Sequence, residues 1–240
     1  MSTEHLLMHL NDIPVEIVRK DIKNLHIGVY PPSGRVRVSA PLHMNDEAIR
    51  VALVSRLSWI RKKRSQFVQQ VRQWKREMVT GESHFFQGIR YRLNVLEHDY
   101  PPSVRIANNT TLELQVRPGT DQEKRLKILE DWYRQHLRQA VLDLVEKWQP
   151  LMDVLVSEWR IKKMKTRWGS CNIKARRIWI NLELAKKPPS CLEYVVVHEM
   201  VHLLEQKHTE RFRNFMDHFL PDWQLRRDEL NSLPLASTEW

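Results

Sequence analysis

The stretch Tyr194-Val-Val-Val-His198-Glu199-Met-Val-His202-Leu-Leu-Glu205-Gln-Lys-His208 limits what this chain can become more than any other. It contains H-E-x-x-H. Four residues apart on a helix, His198 and His202 stand on one face on adjacent turns, so two imidazoles can grip one metal ion. Glu199 is turned away from them, close enough to work on a metal-bound water without being a ligand. A catalytic zinc takes three protein ligands and keeps a fourth position open. His208 is the best third ligand. It is too far round to share the helix, but a turn after Leu204 or Glu205 would fold the chain back and present it. Glu205 is the alternative third ligand, or a partner that orients a ligand histidine.

The chain has eleven histidines, so a five-residue match can arise by chance, and its surroundings have to be weighed. Ser190-x-x-Glu193 reads as a capping box, which starts a helix right after Pro188-Pro189. Apart from Glu193, residues 192–197 are apolar and predict buried first turns. Polar groups set in such a segment need partners, and a metal serves both histidines at once. Tyr194 falls on the same stripe as His198; it reads first as a packing residue and second as an orienting one. His84, His98, His136 and His218 read as ordinary surface or core histidines, and Cys171 as part of a tight loop.

The rest of the chain predicts an α+β protein. Residues 13–40 alternate and are β-branched, with a turn at Pro31-Pro-Ser-Gly34, and read as a small antiparallel meander. From Asn45, a helix cap, the period changes, and one helix runs through Arg61-Lys-Lys-Arg64 towards Trp74. That basic cluster reads as a solvated face, with nucleic-acid contact the sharper reading. Two hairpins follow within 83–117. Asp121 opens a long helix that Pro150 stops. Two strands around a tight loop at Gly169-Ser170 lead into the H-E-x-x-H helix, and a last helical region breaks at Pro221. No internal repeat stands out. The expected division is a β-rich region with one long helix at 1–119 and a metal-dependent catalytic domain at 120–240.

Charge and cysteine content bear on partners. With 39 Lys and Arg against 29 Asp and Glu, the net charge is +10, which favours an anionic partner or substrate. Arg160, Lys162, Lys163, Lys165, Arg167, Lys174, Arg176 and Arg177 crowd the strands before the metal helix. They either line the cleft or form a solvated edge. Two cysteines, Cys171 and Cys191, fit a reducing compartment better than a disulfide scaffold. No run is apolar enough to span a bilayer, and the N-terminus does not read as a signal peptide, so a cytoplasmic location is expected.

Two blocks resemble the YgjP-like family of zinc metallopeptidases, in the zincin group that includes the SprT-like proteins. One is Arg167-Trp168-Gly169-Ser170-Cys171-Asn172. The other runs from Glu193 through His198-Glu199 and His202 to His208 and Phe212, then Leu220-Pro221-Asp222-Trp223. Lys207 and Arg213 depart from the family pattern without removing a ligand. The resemblance implies a C-terminal zincin-like domain, zinc at His198, His202 and His208, and Glu199 as the catalytic carboxylate.

Together these readings point to a zinc-dependent hydrolase, foremost a metallopeptidase acting on a polypeptide through a Glu-activated metal-bound water. The first alternative is a metal-dependent hydrolase of nucleotide phosphoanhydrides. The second is a nucleic-acid-associated module with a structural zinc; against it, structural zinc normally fills four protein positions.

Overall fold

The computed structural model describes residues 5–30, 33–69, 76–164 and 166–232. The chain forms two compact units, residues 1–72 and 73–239. The boundary expected at 119/120 falls inside the second unit. There Leu93, Leu112 and Leu114 from the strands share one core with Leu129, Tyr133 and Leu137 from the long helix.

The first unit carries β1 (His5–Leu10), β2 (Ile13–Lys20), β3 (His26–Tyr30) and β4 (Arg35–Pro41) in the order β1-β2-β4-β3. The expected antiparallel meander is corrected: β2 and β4 run parallel, and an additional strand, β1, pairs antiparallel with β2. Burial explains the order. Val15, Ile17 and Val18 on β2 and Val36, Val38 and Ala40 on β4 are fully buried, so these strands take the centre. β3 has no fully buried side chain and lies at the edge. Asn45 caps α1 (Asp46–Ser55), its Oδ1 accepting from the Ala48 amide at 2.8 Å. The single helix expected here is two, α1 and α2 (Leu57–Gln69), divided at Arg56. Trp74, its expected end, lies outside the described residues. Ile49, Leu53 and Ile60 pack into the core of the sheet.

The second unit opens with β5 (Ser83–Phe86), β6 (Ile89–Glu97), β7 (Ser103–Asn108) and β8 (Thr111–Val116), in the order β5-β6-β8-β7. Both hairpins form as expected, and a parallel β6–β8 pair joins them. The strand order and pairing senses match those of the first sheet, so the architecture repeats where the residues showed no repeat. Asp121 caps α3 (Gln122–Met152), accepting from the Lys124 amide. Pro150 does not end α3. It falls in the last turn, where a missing N–H removes one bond, and the helix closes at Asp153 in the left-handed region (φ 50°).

A third sheet holds β9 (Glu158–Lys162), β10 (Gly169–Asn172) and β11 (Arg177–Asn181) in the order β10-β11-β9. The tight turn joining β10 to β11 lies at 173–176, not at Gly169-Ser170, which begin β10. A 3-10 helix (Leu182–Lys186) then leads into α4 (Pro189–Val201), followed by α5 (Glu210–Phe219) and α6 (Trp223–Ser232).

Candidate metal centre

α4 starts at Pro189, a residue suited to the first helical position because its missing N–H has no helical partner anyway. The capping box expected at Ser190 and Glu193 does not form; Pro188 precedes the helix and no side chain caps it. Glu193 is recruited elsewhere. Its carboxylate accepts from Lys147 Nζ (2.6 Å) and Trp148 Nε1 (3.1 Å) on α3 and from Arg226 Nη1 (2.6 Å) on α6. Burial opposes its ionisation, but these donors outweigh burial and hold the carboxyl below its ordinary range. The first turn of α4 is thereby tied to two neighbouring helices. Leu192, Val195, Val196, Val197, Met200 and Val201 bury the helix on nearly every side.

His198 and Glu199 lie on the last turn of α4, and His202 is its C-cap. The chain turns at once: the amides of Leu204 and Glu205 both bond to the Val201 carbonyl at 2.9 Å. The reversal thus begins earlier than the expected turn after Leu204 or Glu205. Thr209 caps α5, accepting from the Phe212 amide. Between these ends His208 swings back towards the helix. The ring nitrogens of His198, His202 and His208 lie within 4.8 Å of one another, and these three form a candidate metal-holding group. His208 Nε2 and His198 Nε2 are 3.0 Å apart. Two nitrogens on a tetrahedral zinc stand roughly 3.3 Å apart at ordinary zinc–nitrogen lengths, so the spacing fits a shared ion.

The donor chemistry fits as well. Burial first, then the neighbouring His202 and His208, push the His198 imidazole down to about 3, so it is neutral and offers a lone pair. Burial lowers His202 too. His202 Nδ1 donates to the Glu205 carbonyl at 3.2 Å, which leaves Nε2 free to face the other two rings. Glu205 thus acts through its backbone, while its carboxylate accepts from the Lys207 amide. His198 Nδ1 is buried and has no hydrogen-bond partner among the described residues.

Phe212 is the common floor of the three rings. Its centroid lies 5.0, 4.8 and 4.7 Å from those of His198, His202 and His208. It is buried, four residues after His208 on the start of α5. That spacing was visible in the sequence, but its role was not. Tyr194 packs edge-on to His198 and stacks on Trp223, consistent with a packing role.

Glu199 is 5 % exposed, and burial pushes its carboxyl up to about 8 against the opposing charge of Arg167. β10 lies directly against it. A Cβ built on Gly169 would stand 2.6 Å from Glu199 Oε1, so only glycine leaves room for this carboxylate. The loop that delivers Gly169 is held by Asn181, which sequence reasoning missed. Its Nδ2 donates to the carbonyls of Met164 (2.9 Å) and Arg167 (2.7 Å), and its amide donates to the Trp168 carbonyl.

Strand alternation sorts the basic residues. Gly169, Cys171, Ile178 and Ile180 face α4 and the core, and burial pushes the Cys171 thiol up to about 11. Arg160, Lys162, Arg177 and Trp179 occupy the opposite face. Lys163 pairs with Glu130 at 2.6 Å. Of the described cations between 160 and 177, Arg167 is the one whose charge acts on Glu199. Lys165 lies outside the described residues. His84, His98, His136 and His218 take no part in the three-histidine group.

A domain of metallopeptidase class accounts for such a site. Residues 24–233 match the YgjP-like family, described as a metallopeptidase domain, and the chain belongs to that family. That membership supports a metal-dependent peptidase and implies a divalent metal. No curated protein matches the chain. Two solved structures show weaker likeness. The metallopeptidase zymogen of Pyrococcus abyssi abylysin shares 19 % identity at a TM-score of 0.35, covering 38 % of this chain and 90 % of its own. The metallopeptidase zymogen of Methanocaldococcus jannaschii jannalysin shares 17 % at 0.32, covering 39 % and 95 %. At these TM-scores neither likeness bears on the activity. No helix among the described residues is long and apolar enough to cross a membrane.

Proposed function

We propose that the chain is a zinc-dependent peptidase with His198, His202 and His208 as metal ligands and Glu199 as general base, in a zincin-like arrangement. The observation that carries this reading is the convergence of three imidazoles beside a buried carboxylate that Gly169 alone makes room for. When bound, zinc polarises water and stabilises the oxyanion that develops on the substrate. Glu199 takes the proton from the attacking water and passes it to the leaving amine. Phe212 holds the three rings in place, and the Glu205 carbonyl selects the His202 tautomer.

The position of β10 supports a polypeptide substrate. β10 is the outer strand of its sheet and begins at the residue touching Glu199. An extended chain could add to that edge through its main-chain groups. Phosphoanhydride hydrolysis would call for cations around the leaving phosphates, yet Arg160, Lys162 and Arg177 stand on the far face of the sheet. A structural zinc would need a fourth protein donor, and the described group has three.

The test is a split panel given to the zinc-loaded protein: unfolded polypeptides on one side, nucleoside triphosphates on the other. The reading requires peptide cleavage that His202→Ala and His208→Ala lose together with bound metal. Release of phosphate or pyrophosphate, with polypeptides intact, would keep the centre and overturn the substrate class.

A further inference from the structure

The face of the third sheet turned away from α4 has a composition that the proposed peptidase chemistry does not use. Trp179 stands in the middle strand, directly opposite Arg160 on β9 and Ser170 on β10. The charged groups of Arg160, Lys162 and Arg177 lie 5.6, 5.9 and 5.9 Å from its ring centroid. Arg160 and Lys162 are exposed, and Trp179 itself is only partly covered. The turn closing β10 and β11 adds two more exposed cations, Lys174 and Arg176. Arg176 sits there at φ 47°, a conformation in which glycine or asparagine is at ease and a long cation is not.

Among the described residues one acid pairs with members of this group of five cations. Glu158 pairs with Arg160 and with Arg177, and is the only Asp or Glu between 158 and 177. The face therefore keeps a clear positive excess around a large flat ring. A surface kept merely soluble has no need of tryptophan, and cations alone would attract any polyanion. The combination has a narrower match. Single-stranded nucleic acid offers bases that stack on an aromatic ring and phosphates that track flanking cations. Arg160 and Lys162, two residues apart on one strand, stand roughly 6.7 Å apart along it. That is comparable to the spacing of successive phosphates in an extended strand.

We infer that this face binds single-stranded nucleic acid, with Trp179 stacking on a base and Arg160, Lys162, Arg177 and the 174–176 turn holding the backbone. Charge complementarity and the central ring select this occupant over an acidic protein or an anionic lipid surface, neither of which presents stackable bases. The inference stands whether or not the metal centre cleaves peptides.

The experiment is fluorescence anisotropy of a labelled oligothymidylate of about a dozen nucleotides, long enough for one such site. It uses the full chain across a salt series. Binding should weaken with salt, and Lys162→Ala should make the log–log slope shallower by about 0.7, the value for one phosphate fewer neutralised on a single strand. Trp179→Leu should weaken binding roughly tenfold, while Trp179→Phe, which keeps a stacking face, stays within about threefold of wild type. Retained zinc content in each variant checks that the second unit is folded. Should Trp179→Leu not fold, the Lys162→Ala slope and competition by unlabelled ligands still decide the matter. Equal competition by polyphosphate of matched charge would show attraction by charge alone and overturn the inference. So would equal competition by thymidine monophosphate, or binding to phosphatidylserine vesicles with none to the oligonucleotide.

Discussion

Gly169 has no unusual backbone angle. What its position excludes is a Cβ, which would meet Oε1, Cγ and Cδ of Glu199 at 2.6, 2.8 and 2.9 Å. Gly169→Ala must push the carboxylate or the strand aside. At the general base proposed for Glu199, a displacement of this kind can cost about a hundredfold in rate. The expected outcome is a loss of that order in kcat with zinc content unchanged, measured on the same preparation. Asn181 acts at the same scale by a different route. Besides holding the Met164 and Arg167 carbonyls, its Oδ1 accepts from the amides of Met164 and Glu183, both at 3.2 Å. Asn181→Ala leaves the Met164 and Arg167 carbonyls and the Met164 and Glu183 amides without this partner, and should destabilise the protein by about 2 kcal/mol in urea denaturation. Neither role could be seen from local spacing. Gly169 is thirty residues from Glu199, and the need for a glycine there arises only when β10 meets α4.

Among elements, α4 is positioned from outside itself. Gln87 and Gly88, both at positive φ, form the tight turn between β5 and β6. Their amides donate to the Ala185 and Lys186 carbonyls of the 3-10 helix. A Cβ on Gly88 would stand 2.9 Å from the Pro188 ring, so this turn packs against the residue that opens α4. The strand leading into the turn carries His84, buried beside Glu82. Burial, then the charge of Arg76, hold its imidazole down to about 4, against the pull of Glu82. A base whose folded pKa is depressed binds its proton first in the unfolded chain. The stability from neutral His84 is therefore full above 6.5 and is lost as pH falls from 6.5 to about 4. His84→Gln should flatten the fall in unfolding free energy across that window, as urea titrations at successive pH values would show. A fall of unchanged steepness would assign the pH dependence elsewhere, with His198 the next group to test.

At the level of the whole chain, what could be read from the residues was mostly what lies close in sequence. The helix bearing His198 and Glu199, the caps at Asn45 and Asp121, both hairpins of the second sheet and the break near Pro221 each follow from a local pattern. The folding back of His208 was legible because one short turn separates it from α4. The parallel pairs β2–β4, β6–β8 and β9–β11 were not, since each joins strands separated by another strand or by a loop and hairpin. The division between the units escaped for the same reason: the residues that unite the second sheet with α3 do so through a common core. The two four-stranded sheets share an order that no residue pattern announced.

In the mechanism proposed here, Glu199 acts on water beside a metal that the three histidines hold without its help. The most direct measurement determines zinc content and polypeptide turnover on a single preparation of Glu199→Gln, beside wild type. The expected result is about one zinc per chain in both proteins, with turnover reduced by at least about a hundredfold in the variant, at the lower end of what a general base contributes. Turnover near the wild-type rate, at equal zinc content, would contradict it.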